Sequence, residues 1–343
     1  MHVHLKKLDE QVIVLTGATS GIGLVTARLA AKQGAKLVLA ARNADALHRL
    51  ADEINADGGH AHSVPVDVAD WEQVQRLANE SVRRFGRIDT WVNNAGVSVF
   101  GKIEDVPLED HRRLFETNFW GVVHGSLAAL PVLRRAGGAL INIGSVLSDR
   151  AVPLQGMYCA SKHAVQGFTD ALRMELEKAG APISVTLIKP SSIDTPYLKH
   201  ARNYMENEPN FPPPVYAPEA VAEAILHCAT HPERDLTVGG GGKAAVMLSK
   251  LMPRFADFIS EWLMFDLQKK REPAAAREDS LHQAGDDLEE RGAYGGPVLK
   301  SSLYTKATMH PLLTATLLAG AGLLVAGLLS SRSKSDADGS ARP

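Results

Sequence analysis

Tyr158 and Lys162 stand four residues apart, in Tyr158-Cys159-Ala160-Ser161-Lys162, within a helix-like stretch from Gln155 to Lys178. That spacing puts a phenol and an ammonium group one turn apart on the same helix face. Tyrosine ordinarily ionises near pH 10, too high for an efficient base at neutral pH, and a neighbouring ammonium lowers that value by favouring the phenolate. Ser145 ends the run Ile141-Asn142-Ile143-Gly144-Ser145, so its hydroxyl should emerge at the end of a strand. Taken singly, a tyrosine is commonly a core residue and a lysine a solvated one; the combination is what suggests proton transfer.

A second constellation, Thr16-Gly17-Ala18-Thr19-Ser20-Gly21-Ile22-Gly23, lies between a strand-like run and a helix-like one. Glycine there lets the backbone turn tightly and approach a pyrophosphate, while the helix start offers free N–H groups and a positive dipole end. At the end of the second strand, Ala40-Ala41-Arg42-Asn43 occupies the place where an NAD enzyme usually carries an acidic residue for the ribose hydroxyls. Ala41 leaves room for a 2′-phosphate and Arg42 can pair with it, so the expected cofactor is NADP(H).

The elements that must position these residues follow from the apolar pattern. Short apolar runs at Val12–Thr16, Lys36–Ala41, His62–Val66, Asp89–Val92, Ala139–Gly144, Ile183–Ile188 and Leu236–Val238 alternate with helical stretches at Ile22–Gln33, Asp45–Asp57, Trp71–Phe85, Glu109–Arg135 and Gln155–Lys178. Nearly continuous Val, Ile and Leu in the runs indicates strands covered on both faces. The expected fold is α/β, a Rossmann-type doubly wound parallel sheet in a single domain, with its ligand site beyond the strand carboxyl ends.

On these residues the chain resembles the short-chain dehydrogenase/reductase family over residues 8–240. The resemblance rests on Thr16–Gly23, Asn93-Asn94-Ala95-Gly96, Asn118, Ser145, Tyr158-x-x-x-Lys162 and Pro190 followed by Thr195. It implies that Tyr158 donates or accepts the proton and that Ser145 positions a carbonyl oxygen. Lys162 would hold the nicotinamide ribose and tune Tyr158, and Asn118 would anchor a water leading to Lys162. Asp67 and Val68 match adenine contacts, and Asn94 matches a position that steadies the central sheet. The implied cofactor-binding set is Gly17, Thr19, Ser20, Gly21, Ile22, Gly23, Arg42, Asp67, Val68, Asn94, Ala95, Gly96, Tyr158, Lys162, Pro190 and Thr195; no metal is expected. The sequence departs from the family at Pro190-Ser191-Ser192, where Pro-Gly is usual, and beyond residue 240.

The pattern changes toward the C-terminus. Residues 205–218 hold a proline-rich loop, and Leu248, Leu251, Phe255, Phe258, Trp262 and Phe265 recur at helical steps, predicting an amphipathic helical extension over 241–268 with Pro253 near its start or at a kink. Residues 269–306 are polar and charged, the composition of a flexible linker. Leu312–Leu329 then contains eight Leu, one Val, four Ala, three Gly and two Thr. As a helix it spans ~27 Å, close to the ~30 Å of a bilayer core, and Ala315, Ala319, Gly322 and Ala326 make a small-residue stripe. A transmembrane helix over 311–330 is therefore expected, the alternative being a helix buried in a soluble oligomer.

The 343 residues carry 37 basic and 39 acidic side chains, so nucleic-acid binding lacks electrostatic support. Two cysteines make no disulfide framework, and the N-terminus shows no secretory signal. The expected activity is hydride transfer between NADP(H) and a small-molecule carbonyl or alcohol of lipophilic character, with a non-catalytic NADP(H)-binding regulator as the alternative. The helices at 109–135 and 155–179 match those through which relatives pair, implying a homodimer or homotetramer. The catalytic domain is expected in the cytoplasm, membrane-anchored through the C-terminal helix or else simply cytoplasmic.

Overall fold

The computed structural model describes residues 3–285, 288–292 and 294–311, with Thr314 and Thr316. Seven strands form one parallel sheet: β1 (Val12–Thr16), β2 (Lys36–Ala41), β3 (His60–Pro65), β4 (Thr90–Asn93), β5 (Gly138–Ile143), β6 (Ile183–Pro190) and β7 (Asp235–Val238). Their order is β7-β6-β5-β4-β1-β2-β3, every pair parallel, so the chain reverses its direction of travel between β1 and β4. That reversal opens the crevice in which doubly wound sheets bind ligands. The strand positions follow the apolar runs, to within two residues at each end, because strands buried on both faces need uninterrupted Val, Ile and Leu.

Helices cover both faces. α1 (Gly21–Lys32) and α2 (Ala44–Ala56) lie on one side, with the later helix α7 (Pro218–Thr230); Leu24, Leu47, Leu50, Val221 and Ile225 bury there against Ile13, Leu15, Leu37 and Leu39. α3 (Trp71–Phe85), α5 (Gly121–Ala136) and α6 (Gly156–Lys178) cover the other, where Val74, Leu77, Leu133 and Leu172 meet Val14, Val38, Trp91 and Leu140. The helix expected across 109–135 is interrupted. α4 (Leu108–Phe115) passes into α5 through a π-helical turn at Glu116–Trp120, a wider winding common at functional sites. Asn118 sits in that turn.

Two expectations beyond residue 240 change. The amphipathic segment is two helices, α8 (Gly240–Leu251) and α9 (Pro253–Leu267), broken at Met252 because Pro253 cannot donate the N–H that would continue the first. The described residues of 269–306, the expected flexible linker, are docked. Lys269–Pro273 pairs antiparallel with Asn207–Pro209, Val298–Leu299 pairs with Val215–Tyr216, and α10 (Leu303–Met309) packs beside β7. Its polar composition concealed this because the docking uses backbone groups and charged side chains, with Leu281 the one wholly buried apolar anchor among the described residues of the stretch. The expected transmembrane segment 311–330 falls almost entirely outside the described residues; among those described, no helix is long and apolar enough to cross a membrane.

Candidate active site

The loop between β1 and α1 depends on glycine at two points. Gly17 has φ +65°, a left-handed conformation, and a Cβ there would lie 2.8 Å from Ala95 Cα. A Cβ on Gly23 would lie 1.9 Å from the Gly17 carbonyl oxygen, so only glycine lets α1 start this close to the loop. Asn94 ties the loop to the end of β4 by donating to the Thr16 and Gly17 carbonyls at 3.0 and 3.1 Å. Deeper in the sheet Asn93 accepts from Trp91 and donates to Asn142, joining β4 to β5.

A cleft of about 110 Å³ opens above these strand ends. Gly17, Thr19, Ser20, Arg42, Asp67, Val68, Ala95 and Gly96, half of the cofactor-binding set expected from sequence, line it together with Ala41. The Thr117 hydroxyl also faces it, buried and without a hydrogen-bond partner among the described residues. Backbone laid open by glycine and an orphaned buried hydroxyl fit a dinucleotide. Six more of the set, Ile22, Asn94, Pro190, Thr195, Tyr158 and Lys162, line the adjoining cavity of about 360 Å³, while Gly21 and Gly23 line neither space and shape the start of α1. Gly96 lines both.

Ser145, Tyr158 and Lys162 come together at one wall of that cavity. The Tyr158 hydroxyl lies beside those of Ser145 and Tyr197, and its ring packs edge-on against Tyr197 with ring centres 5.7 Å apart. Lys162 Nζ donates to the Ile143 carbonyl at 2.9 Å and lies 5.7 Å from the Tyr158 ring centre. Burial dominates both groups: it pushes the tyrosine up to about 12 and the lysine down to about 8. The expected depression of Tyr158 is therefore overturned, because Lys162 is anchored on a carbonyl rather than on the phenol and both are removed from water. Asn118 is wholly buried, accepting from Val97 N at 2.8 Å and donating to Val97 O at 2.9 Å and Ser161 Oγ at 3.2 Å. A Cβ on Gly96 would stand 3.4 Å from Asn118 Oδ1 and 3.9 Å from Lys162 Nζ.

The sequence model of the family described as short chain dehydrogenase matches residues 11–206, more than half of the chain. The chain belongs to the short-chain dehydrogenase family. It is an oxidoreductase of that family, whose members act on CH–OH and C=O groups with nicotinamide cofactors. It is 50% identical over 320 residues to the uncharacterized oxidoreductase YxnA of Bacillus subtilis, covering 92% of this chain and 90% of that one. It is 41% identical over 191 residues, 54% of this chain and 58% of the relative, to the cattle dehydrogenase/reductase SDR family member 7B. Among solved structures, a short-chain dehydrogenase/reductase from Burkholderia phymatum in complex with NAD superposes with TM-score 0.63 at 26% identity, covering 79% of this chain and all of the other. An alcohol dehydrogenase from Thermococcus sibiricus complexed with 5-hydroxy-NADP gives 0.59 at 27% identity, over 66% of this chain and 95% of the other.

Several residues of this short-chain dehydrogenase's site carried no signal in the sequence. Tyr197 reaches Ser98 Oγ at 2.7 Å and Gln155 Oε1 at 3.0 Å as well as Tyr158, and its ring stacks on Phe211. It comes from a one-turn helix in a loop, with no spacing to reveal it. Gln268, at the end of α9, donates to the Pro153 carbonyl at 2.9 Å and accepts from Gln155 at 2.8 Å, so the extension closes the cavity. Arg42 does stand at the expected end of β2, but the extension meets it: its Nη1 and Nη2 donate to the carbonyls of Leu281 and Ser280 at 3.2 and 2.5 Å. Cys159 is buried, and burial raises its thiol further from ionisation, which suits a packing residue.

Proposed function

We propose that this protein is an NADP(H)-dependent carbonyl reductase or alcohol dehydrogenase in which Tyr158 is the general acid/base. The carrying observation is that the Tyr158 and Ser145 hydroxyls stand together at the wall of a cavity adjoining the glycine-lined cleft. The nicotinamide, when bound, supplies or accepts the hydride. Ser145 orients the substrate oxygen toward Tyr158, which holds its proton at any ordinary pH and so donates it to the oxygen as the carbonyl is reduced. Lys162 stands close enough to stabilise the phenolate left behind, and Asn118 fixes the backbone between Val97 and α6 that shapes this wall. Reduction is the direction that a protonated phenol favours.

The substrate we assign is lipophilic. Phe100, Val146, Leu147, Val152, Phe211, Ile259 and Met264 line the cavity, and most of the surface it presents is apolar. The preference for NADP(H) rests on Arg42 with Ala41 at the end of β2. We also propose membrane association through 311–330, with the catalytic domain in the cytoplasm. Phe258 and Trp262, 64% and 73% exposed on α9 beside the cavity, suit a protein working at an apolar surface. A homodimer or homotetramer is proposed through α4–α6, where Trp120, Leu127 and Met174 are exposed.

Screening NADPH oxidation against ketones, aldehydes, steroids and acyl chains tests the activity, and Tyr158→Phe tests the site. The variant should lose turnover while NADPH still binds, as read by fluorescence titration; wild-type rates in the variant would falsify the assignment. Arg42→Ala should weaken NADPH binding about tenfold to a hundredfold more than it weakens NADH binding, the scale of one charge-assisted contact of roughly 1.5–3 kcal/mol. A native enzyme that prefers NADH contradicts this assignment.

A further inference from the structure

We propose that the C-terminal extension forms a strap over the dinucleotide cleft, in which Ser280 and Leu281 position Arg42 and the cofactor enters and leaves only when the strap lifts. This inference rests on the NADP(H) reading above.

The described residues of the strap, 280–285, 288–292 and 294, are fastened at both ends of the cleft. At the adenosine end the Leu281 side chain is wholly buried among Val97, Val99, Val106 and Leu114. Its carbonyl accepts from Arg42 Nη1 and from Arg113 Nε, each at 3.2 Å, and the Ser280 carbonyl accepts from Arg42 Nη2. Asn43, which caps α2, donates to the Gly285 carbonyl at 3.0 Å. In the middle the Glu289 carbonyl accepts from Gly21 N at 2.9 Å, at the start of α1. Glu290 pairs with Arg28 at 2.7 Å and Glu289 with Lys199 at 3.0 Å. At the nicotinamide end Gly292 N and Tyr294 N both donate to Asp194 Oδ1 at 3.1 Å. Gly292 passes so close to Thr195 that a Cβ would lie 2.2 Å from its carbonyl oxygen.

The strap covers the cleft without filling it. Ser280, Ala284 and Gly285 line the cleft of about 110 Å³ opposite Gly17, Ala41 and Gly96. A guanidinium has five N–H donors, so the two carbonyls leave Arg42 with donors free to turn toward a phosphate. Held by two consecutive carbonyls, Arg42 is ordered before the phosphate arrives, and less side-chain freedom is lost on binding. The one strap contact that a pyrophosphate would contest is the Glu289 carbonyl on Gly21 N–H, which makes lifting the strap a step in cofactor exchange.

The test uses the full-length protein with two substitutions at opposite ends. Leu281→Asp puts a charge into an apolar pocket and unseats the adenosine end; Gly292→Val drives a side chain into the Thr195 carbonyl and unseats the other. Neither changes Arg42 or a side chain that bonds it, since Arg42 meets Leu281 through the backbone carbonyl, and circular dichroism identifies a variant that has failed to fold. The dissociation rate of NADPH is followed by stopped-flow fluorescence on mixing with excess NADP+. Each folded variant should release NADPH at least tenfold faster than the native protein. Leu281→Asp should also narrow the ratio of NADPH to NADH affinity, a readout that mere loosening of a surface segment would not move. Unchanged release rates overturn the proposal. Slower release in the variants overturns it too. If the native protein prefers NADH, the cofactor reading fails separately, and the release rate of NADH still tests the strap.

Discussion

Tyr158 and Lys162 share a helix face, yet burial moves their protonation equilibria in opposite directions, the phenol to about 12 and the ammonium to about 8. The consequence is a pH dependence set by the lysine. Below about 8 Lys162 is protonated, and its charge, 5.7 Å from the Tyr158 ring, favours the phenolate that forms when the proton is handed over. Above about 8 that charge is lost while Tyr158 still carries its proton. Carbonyl reduction at saturating NADPH should therefore hold level from pH 6 to 7.5 and fall as pH rises through about 8. A rate level to pH 10 contradicts this role for Lys162. Tyr197 belongs to the same scale: its hydroxyl joins Ser98, Gln155 and Tyr158 into one hydrogen-bonded cluster, an arrangement made by a loop and readable only in three dimensions.

Among the elements, the segment carrying Ser145 is held by a buried ion pair. Lys189 Nζ, from β6, meets Asp149 Oδ2 at 2.9 Å, with the two side chains 8% and 6% exposed. Burial pushes the Asp149 carboxyl up, but the hydrogen bond and charge of Lys189 outweigh it and leave the group below the usual carboxylate range. Gln166 of α6 adds a bond at 3.2 Å, and Lys250 of α8 stands 3.8 Å away. Asp149→Ala would strand the Lys189 charge in the interior, so urea unfolding should show a loss of about 3–5 kcal/mol. A loss under ~1 kcal/mol would mean that water reaches Lys189. The π-helical turn at Glu116–Trp120 is the other element that decides the site, since it carries both Thr117 to the cleft and Asn118 to Val97. A continuous α-helix, which the sequence periodicity suggests, would rotate one of them away.

At the scale of the molecule, the proposed anchor and the catalytic domain are separable in experiment. Full-length protein should pellet with membranes and resist a carbonate wash, while a chain ending at residue 310 should not resist it. Eight Leu at roughly -0.5 kcal/mol each give about -4 kcal/mol toward insertion before Gly and Thr subtract, a small margin. Full-length protein that stays soluble without detergent removes the anchor. The shortened chain retains α10, which packs beside β7 and α7, so its loss of carbonate resistance would report the tail alone.

The amino-acid sequence by itself determined the parallel sheet, because strands buried on both faces must be written as continuous apolar runs between amphipathic helices. It likewise determined the glycine loop and the pairing of Tyr158 with Lys162, since both are local: one is a turn and the other is one turn of helix. Tertiary structure alone decided how those groups are charged, because burial is a property of everything packed around them. It also decided the fate of residues 269–306. Their polar composition describes a solvated linker, and only the placement of Arg42, Asn43, Gly21 and Asp194 on distant elements provides the partners that fasten the stretch across the cleft.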